Sequence, residues 1–241
     1  MQSVDSTNNY ALDQIHANLA LSGTCYFAHE QTAGKGQRGK SWATEKGSDI
    51  TLSVTLNPQP LQLFQQFQLS ACVAVATHHC LANYVPKELR IKWPNDIYWK
   101  DRKLGGILIE NIVRTHGLGI IKWDWAVIGI GINVNRAKFP RELKAAVSLR
   151  QITKKNFNTI TLAEQLCRSV DHFYSQLINQ GFASILDTYN TFLYKKDKIV
   201  KLKKATRVFP ATIVGISELG QLIAKHSVEE KFDFGAVEWL L

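Results

Sequence analysis

Four short runs of apolar and β-branched residues constrain the fold of this chain most strongly. They lie at residues 50–56, 89–93, 106–113 and 125–134, and each has the composition and length of a buried strand. Helical patterns separate and follow these runs. We therefore predict an α+β fold in which a mixed β-sheet is flanked by helices.

Apolar residues at helical spacing predict the positions of these helices. A short helix should carry Leu12, Ile15 and Leu19, and a longer one after Pro60 should carry Phe64, Phe67, Ala71 and Val75. Thr-Leu-Ala-Glu at residues 161–164 has the form of a capping box, so a third helix should begin there. Its predicted apolar face contains Leu162, Leu166, Val170, Phe173 and Leu177.

Closely spaced strands dominate the chain from about residue 194. The runs lie at residues 199–202, 208–216, 222–226, 230–234 and 236–240, with turns such as Leu219-Gly220 between them. This spacing predicts a small C-terminal β-barrel-like domain at residues 194–241 and a larger domain at residues 1–193.

Length and composition exclude several classes of protein. The chain has 241 residues, of which 45% are apolar, and this is enough for a sizeable core. The first residues lack the basic start and apolar run of a secretory signal, and no apolar stretch approaches the length of a membrane span. We expect a soluble, cytoplasmic protein with no membrane partner.

The cysteines and histidines show no metal-site spacing. Cys25, Cys72, Cys80 and Cys167 contain no Cys-x-x-Cys pair, so we expect buried reduced thiols rather than metal ligands or disulfides. No histidine pair has a third ligand nearby, and no resident metal site is predicted.

The formal net charge is +9, and its densest part is the run at residues 195–207. This run contains Lys195, Lys196, Lys198, Lys201, Lys203, Lys204 and Arg207 against a single acid, Asp197. One interpretation is the solvated face of an edge strand, which lysines often protect from pairing. A surface that attracts nucleic acid or an acidic protein domain is the alternative.

A basic, glycine-rich segment at residues 32–42 predicts an anion-binding loop. Its glycines let backbone N–H groups approach a ligand, its cations supply charge, and Trp42 offers a flat apolar surface. The spacing matches neither a Walker loop nor Gly-x-Gly-x-x-Gly. A solvated basic turn is the alternative if the segment is taken alone.

A second segment is more specific. Lys-Trp-Pro-Asn-Asp at residues 92–96 is followed by Lys-Leu-Gly-Gly-Ile-Leu-Ile-Glu at residues 103–110. Together with Ser-Thr-Asn at 6–8, Gln31, and Gly-Ile-Gly-Ile-Asn at 129–133, these segments resemble the catalytic domain of biotin protein ligases. The resemblance extends from about residue 6 to residue 135, more than half of the chain.

The resemblance implies an ATP-dependent ligase whose catalytic domain, residues 1–193, forms biotinyl-5'-AMP. It then transfers biotin to a lysine of a biotin carboxyl carrier protein domain. Because the biotin carboxylate must attack a phosphate, the site needs cations and Mg²⁺. By resemblance, Lys103 contacts the carboxyl group and α-phosphate, Lys92 stabilises phosphate or pyrophosphate, and Asp96 positions Mg²⁺ or the acceptor amine. Arg38 completes the expected catalytic group.

The resemblance also implies the binding residues. Ser6, Thr7 and Gln31 would hydrogen-bond the ureido ring of biotin, Trp42 would stack on adenine, and Asn133 would touch its edge. The other expected binding residues are Asn8, Gly34, Lys35, Gly36, Gln37, Gly39, Lys40, Asn95, Gly105, Gly106, Gly129 and Gly131. Ser6 and Thr7 also suit a helix cap, and Asp96 also suits a turn.

Lys35 and Gln37 stand where the family often has arginines, which bears on how tightly the adenylate is held. The chain begins at the catalytic motif, so we expect a form without a helix-turn-helix domain, with no DNA partner, acting as a monomer or homodimer.

A lipoate or octanoate ligase is the nearest alternative, but its Arg-Arg-x-x-Gly-Gly-Gly segment and His-Asp pair are absent. A basic nucleic-acid-binding protein is the alternative from another class, although no recognition helix is evident.

Overall fold

Two β-sheets and five α-helices make up the described part of the chain. The computed structural model describes residues 1–117 and 119–240. Leu118 and Leu241, which fall within the predicted first and second domains, lie outside the described residues. Helices α1 to α5 span Thr7–His16, Gln66–Ala82, Leu149–Thr153, Thr159–Gln180 and Ala183–Thr191.

The first sheet has six strands in the order β1-β2-β6-β5-β4-β3. Strands β1 to β6 span Cys25–Phe27, Asp49–Leu56, Leu89–Lys92, Asp96–Trp99, Arg102–His116 and Ile120–Asn133. The second sheet has five strands in the order β10-β9-β8-β7-β11. Strands β7 to β11 span Ile199–Lys204, Arg207–Ile216, Leu222–Lys225, Glu229–Phe232 and Glu238–Leu240.

The α+β class is confirmed, but one detail of the predicted first sheet is wrong. Every pairing between the named strands is antiparallel, so the first sheet is not mixed. Strands β3 to β6 are joined by short connections, and a short connection cannot return a strand in the parallel direction. Within residues 199–240 the five strands of the second sheet do not form a closed barrel, and β10 and β11 are the two ends of the strand order.

The helix boundaries also correct the sequence interpretation. Helix α4 begins two residues before the predicted capping box, because the Asn158 side chain accepts hydrogen bonds from the backbone N–H groups of Ile160 and Thr161, both at 3.0 Å. Its predicted apolar face is buried as expected. Leu19 and Phe64 lie outside α1 and α2 and are exposed. The short elements β1, β4 and α3 were not predicted.

The first sheet separates two layers of different size. Helices α2, α4 and α5 cover one face and form the main core with the isoleucines of β6, including Ile128, Ile130 and Ile132. Helix α1 covers part of the other face, where Ala11 and Ile15 contact Val127. Because side chains alternate along a strand, the residues between the isoleucines, Gly129 and Gly131, face the second layer.

The second sheet packs directly against the first layer. The Trp93 indole N–H donates to the Gly220 carbonyl at 2.9 Å, and the Asn190 side chain on α5 donates to the Ile216 carbonyl on β8 at 3.2 Å. Buried residues of the two sheets, such as Ile91 and Leu202, belong to one continuous core. The proposed division into domains at residues 193 and 194 falls between α5 and β7 and stays a prediction.

Three of the seven basic residues of this run, Lys201, Lys203 and Lys204, lie on β7, and this strand is not at an edge. β7 pairs with β8 on one side and β11 on the other, so the edge-strand interpretation is wrong. Lys201 and Lys203 nevertheless alternate with buried Val200 and Leu202, which gives a solvated basic face. In the described residues, no helix is long and apolar enough to cross a membrane.

The four thiols are free, but only two of them are buried. Cys72 and Cys80 lie on α2 inside the core, as expected. Cys25 on β1 is exposed and Cys167 on α4 is half-buried, so the expectation of burial is wrong for this pair. A buried cysteine was predicted from the apolar helical pattern, which only Cys72 and Cys80 share.

Residue His78 makes the fold sensitive to acid. It is buried beside Phe192, its Nε2 lies 3.3 Å from the Leu89 carbonyl oxygen, and burial lowers its pKa from 6.5 to about 4. Between these values the unfolded chain binds the proton and the folded chain does not, so the free energy of unfolding falls as pH falls. We expect His78 to contribute a loss on the order of 3 kcal/mol between pH 6.5 and pH 4.

Urea unfolding across this pH range checks the expectation. His78→Gln keeps a hydrogen-bond donor but does not titrate, so its stability should fall less steeply than that of the wild type. His79→Gln is the matched control because His79 is the exposed neighbour on the same helix. A wild-type slope in the His78→Gln protein would contradict the assignment.

Candidate functional site

A cavity of about 640 Å³ lies on the face of the first sheet opposite α2 and α4. Its floor is formed by β2, β5 and β6. Its walls come from the start of α1, the glycine-rich loop, the turn between β3 and β4, and residues 234–239 of the second sheet. Segments distant in sequence therefore meet at one site.

Glycines leave the floor of this cavity bare. Gly106 on β5 pairs with Gly131 on β6, and Gly131 pairs in turn with Thr51 on β2. The indole of Trp42 lies over this pair, because a Cβ atom added to Gly131 would approach Trp42 Cε2 to 2.5 Å. At Gly129 an added Cβ would collide with the Asn8 amide. The absence of side chains at these positions creates the space.

A chain of hydrogen bonds organises the polar part of the cavity beside Gly129. The Ser53 hydroxyl, fully buried on β2, lies 2.7 Å from Thr7 Oγ1 and 2.6 Å from Asn8 Oδ1. The backbone N–H and hydroxyl of Thr7 both donate to Gln31 Oε1, at 2.8 and 3.0 Å. Sequence reasoning missed Ser53, since it is one polar residue in a strand with no motif around it.

This chain of hydrogen bonds fixes the orientation of the Gln31 amide. Because a backbone N–H can only donate, the oxygen of Gln31 must face Thr7 and its NH₂ group must point away. Among the described residues the NH₂ group has no acceptor, while both ends of the Asn8 amide are used, by Ser53 and by Glu110. Gln31 can therefore donate to a ligand, whereas Asn8 holds the α1 start against the sheet.

Cations cluster beside Gly131 and Gly106. Lys103 Nζ forms a 2.6 Å ion pair with Asp96 Oδ1 and lies 5.5 Å from the centre of the Trp42 ring. The Trp42 indole N–H is buried and finds no hydrogen-bond partner within the described chain. A buried donor without a partner is costly, so a ligand that accepts from Trp42 would be stabilised here.

Lys92 lies deeper, against the aromatic side chains of two sheets. Its ammonium is 3.3 Å from the Tyr98 hydroxyl, and it lies over the rings of Tyr98 and Trp239 at 4.7 and 5.9 Å. Burial lowers the pKa of Lys92 below its ordinary 10.5, and the nearby Asp96 carboxylate opposes that shift. An anion bound beside Lys92 would offset the cost of burying its charge.

The second sheet closes the cavity through residues that sequence reasoning did not find. The Arg38 guanidinium lies 4.7 Å from the centre of the Phe234 ring and against Gly235, and the Phe234 ring meets the Trp93 ring edge to face. Lys203 and Glu238 also line the wall. Arg38 itself has a left-handed backbone, with φ at 55°. The glycine-rich loop is thus held to the second sheet.

Most of the predicted site residues line this cavity. They are Ser6, Thr7, Asn8, Gln31, Lys35, Gly36, Gln37, Arg38, Lys40, Trp42, Lys92, Asn95, Asp96, Lys103, Gly106, Gly129 and Gly131. The charged members favour anions, because the lining contains Lys35, Arg38, Lys40, Lys92, Lys103 and Lys203 against only Asp96 and Glu238.

The other four predicted residues, Gly34, Gly39, Gly105 and Asn133, do not line the cavity. Gly34 packs against the Trp42 carbonyl, and Gly105 packs against the Ile132 side chain. Gly39 lies in the loop with φ at 73°, a conformation that favours glycine. The Asn133 amide donates to the carbonyls of Lys103 and Val147, at 3.4 and 3.2 Å. Asn95 lines the cavity, but its amide NH₂ group donates a hydrogen bond to the Ile107 carbonyl.

Comparison with known proteins agrees with this geometry. Residues 1–133 match the model of the biotin/lipoate A/B protein ligase family. The bifunctional ligase/repressor BirA of Bacillus spizizenii is 30% identical over 226 residues, which cover 92% of this chain and 67% of that protein. The biotin–[acetyl-CoA-carboxylase] ligase of Paracoccus denitrificans is 28% identical over 228 residues, which cover 92% of this chain and 91% of that protein.

The fold has a close structural counterpart. The biotin protein ligase from Aquifex aeolicus in complex with biotin and ATP superposes with a TM-score of 0.83, covering 100% of this chain and 97% of that chain. At 23% identity this likeness shows the fold. The chain spans about two thirds of the length of the bifunctional Bacillus relative and nearly all of the Paracoccus ligase.

The contact between Gly131 and Trp42 generates a prediction about packing. Gly131→Ala places a methyl group where the indole lies, so we expect the ring to move and the free energy of unfolding to fall by about 1–3 kcal/mol. In a Trp42→Ala background the same substitution should cost much less, since the ring is gone. Urea unfolding of the four proteins measures both values. Equal costs in the two backgrounds would show that Trp42 does not cover Gly131.

Proposed function

Because this chain belongs to the biotin/lipoate A/B protein ligase family, we propose that it is an ATP-dependent biotin protein ligase. It activates biotin to biotinyl-5'-AMP and transfers the biotinyl group to a lysine of a biotin carboxyl carrier protein domain. The relatives and structural neighbours that carry a described activity are biotin ligases, which supports this member of the family over the lipoate ligases.

One observation carries the proposal: a fixed amide donor and a cationic cluster line the same cavity, whose floor is left bare by glycines. Thr7 orients the Gln31 amide so that its NH₂ group is free to donate, and Lys103 Nζ lies against Gly106. Biotin has a cyclic urea at one end and a carboxylate at the other. Lipoate and octanoate have no urea, so they would leave the Gln31 NH₂ group without an acceptor, and a site built to hydrogen-bond its substrate disfavours a ligand that lacks the matching group. The oriented Gln31 amide therefore favours biotin.

The first half-reaction needs charge neutralisation more than it needs acid–base chemistry. The biotin carboxylate attacks the α-phosphate of ATP, the bond to the β-phosphate oxygen breaks, and pyrophosphate leaves. Lys103 is placed to neutralise the carboxylate and the α-phosphate as they approach, and Asp96 holds its ammonium in position at 2.6 Å. Lys92 and Arg38 are assigned to the β- and γ-phosphates, because they lie on the side of the cavity closed by the second sheet.

The residues of the cavity fit Mg²⁺ only together with ATP. No cluster of three or more His, Cys, Asp or Glu side chains is found among the described residues, and Asp96 and Glu238 are the carboxylates of the lining. Mg²⁺ is commonly held by one or two carboxylates and the phosphates of its nucleotide. Asp96 is the residue we assign to it, and the ion would neutralise phosphate charge.

The glycine-rich loop would bind the rest of the nucleotide. Trp42 has an unpaired indole N–H and a flat ring at the floor of the cavity, and the cations Lys35 and Lys40 lie in the same loop. A base stacked near Trp42 and phosphates near these cations would satisfy both features. Gln37 lines the cavity in the same loop but supplies only a neutral amide.

In the second half-reaction the acceptor lysine, as a neutral amine, attacks the carbonyl carbon of the adenylate and AMP leaves. Asp96 is the carboxylate placed to receive a proton from this amine. The exposed basic face of β7 continues to the cavity through Lys203, which supports docking of an acidic carrier domain.

We propose the cytoplasm as the compartment, since ATP is supplied there. Binding of nucleic acid remains the competing use of the basic face, and it would show as strongly salt-dependent binding to DNA or RNA.

Biotin-dependent exchange of labelled pyrophosphate into ATP tests the proposal directly. We expect exchange with biotin, ATP and Mg²⁺, and transfer of biotin to a carrier domain. Lys103→Ala should lower exchange by about two to three orders of magnitude, since one transition-state cation contributes roughly 3–4 kcal/mol. Lys103→Arg should also be poor, because a planar guanidinium does not replace a compact ammonium.

Lys100→Ala is the matched control for this experiment. Lys100 lies three residues before Lys103, in the turn between β4 and β5, is exposed, and is absent from the cavity lining. Its exchange activity and the urea unfolding of both alanine variants should equal those of the wild type. Exchange supported by lipoate or octanoate but not by biotin would refute the proposed substrate.

The neutral side chain at position 37 predicts loose retention of the adenylate. Gln37→Arg would add a charge-assisted hydrogen bond to phosphate, and we expect release to slow about tenfold or more if that bond contributes over ~1.4 kcal/mol. The measurement is the dissociation rate of preformed biotinyl-5'-AMP, followed by tryptophan fluorescence. Gln62→Arg adds the same charge at an exposed position away from the cavity and should leave the rate unchanged. Equal rates for wild type and Gln37→Arg would show that residue 37 does not reach the phosphate.

A further inference from the structure

Two cysteines far apart in sequence face each other outside the cavity. Cys25 lies on β1 and Cys167 on α4, they are 142 positions apart, and their Sγ atoms are 3.6 Å apart. Neither residue lines the cavity of the proposed ligase. The pair is thus independent of the chemistry proposed above.

The alternation of β1 explains why the two thiols meet. Tyr26 faces the α1 side of the sheet, where its ring contacts Tyr10. Its neighbour Cys25 must therefore face the other side, where it lies beside Val54 of β2 and below α4. Cys167 follows the buried residue Leu166 on α4 and lies at the margin of the core.

Exposure distinguishes this pair from the other thiols. Cys25 is exposed and Cys167 is half-buried, so an oxidant in water can reach them. Cys72 and Cys80 are buried on α2, and burial raises the pKa of Cys72 to about 12 and that of Cys80 to about 11, which leaves both as unreactive thiols.

We propose that Cys25 and Cys167 form a reversible disulfide when the protein meets a peroxide. The hydrogen bond between the two thiols lowers the pKa of Cys167 and raises that of Cys25. The Cys167 thiolate attacks one peroxide oxygen, which gives a sulfenic acid and releases water after protonation. The Cys25 thiol then attacks the sulfenic sulfur as it loses its proton, the S–S bond forms, and a second water leaves. Two thiols are oxidised, one hydrogen peroxide is reduced to two water molecules, and a dithiol reverses the step by exchange.

The disulfide would join the edge strand of the first sheet to α4. Closing a loop of this length restricts the unfolded chain, so oxidation should raise the Tm by roughly 5–10 °C. Because both sulfurs lie outside the cavity, the oxidised protein should keep its pyrophosphate exchange activity. The cross-link acts on stability and not on the site.

Peptide mapping without reduction identifies the bond. Trypsin releases Cys25 in residues 1–35, Cys167 in residues 156–168, and both Cys72 and Cys80 in residues 47–87. After treatment of the folded protein with hydrogen peroxide, we expect peptides 1–35 and 156–168 to be joined. Dithiothreitol should separate them and return the Tm to its starting value.

Serine variants control for the choice of thiols. Cys25→Ser and Cys167→Ser should lose both the joined peptide and the rise in Tm, whereas Cys72→Ser and Cys80→Ser should retain them. A joined pair of peptides 47–87 and 156–168 would overturn the proposal, because it would place the bond on α2. So would oxidation of Cys167 to sulfinic acid with no cross-link, since that would show that Cys25 cannot reach it.

Discussion

The site depends on the two different faces of strand β6, one of which carries isoleucine side chains while the other carries only glycines. Ile128, Ile130 and Ile132 fill the face that meets α2 and α4, while Gly129 and Gly131 leave the opposite face without side chains. A filled face anchors the strand in the main core, so the bare face can stay open without loss of the fold. Trp42 and the start of α1 then approach the backbone more closely than any side chain would allow. The cavity is therefore a product of sheet alternation.

The polar and charged side chains around the cavity floor are held in position by neighbouring residues of the protein. The Ser53 hydroxyl, buried in β2, orients Thr7 and Asn8, and Thr7 in turn fixes the Gln31 amide as a donor. Lys103 is held by Asp96, and Lys92 is held by aromatic rings at the cost of partial burial of its charge. Groups that are already oriented need no rearrangement when charge develops, which is how a site of fixed dipoles and cations lowers a barrier. The buried polar groups of the chain thus serve to orient the residues that line the cavity.

The second sheet completes the site as well as the core. Trp93 joins the turn between β3 and β4 to Gly220, and Phe234 contacts both Trp93 and Arg38 of the glycine-rich loop. Trp239 covers Lys92 from the same side. These contacts link the position of the small sheet to the position of two cations. The C-terminal part of the chain therefore helps to position Arg38 and Lys92, a role that no sequence motif indicated.

The sequence by itself determined the elements and motifs that depend on neighbouring residues. The Ile-Gly-Ile-Gly-Ile pattern of β6, the turn that carries Lys92 and Asp96, and the apolar face of α4 all follow from alternation, turn chemistry and helical spacing, which act over a few residues. Only the tertiary structure decided which strands lie side by side and in which direction, and hence that Ser53 meets Thr7, that Asn133 supports the chain behind the cavity, and that Cys25 meets Cys167. Such meetings depend on how whole layers pack. No short stretch of sequence contains that information, because the partners are brought together by burial of apolar surface across the entire chain.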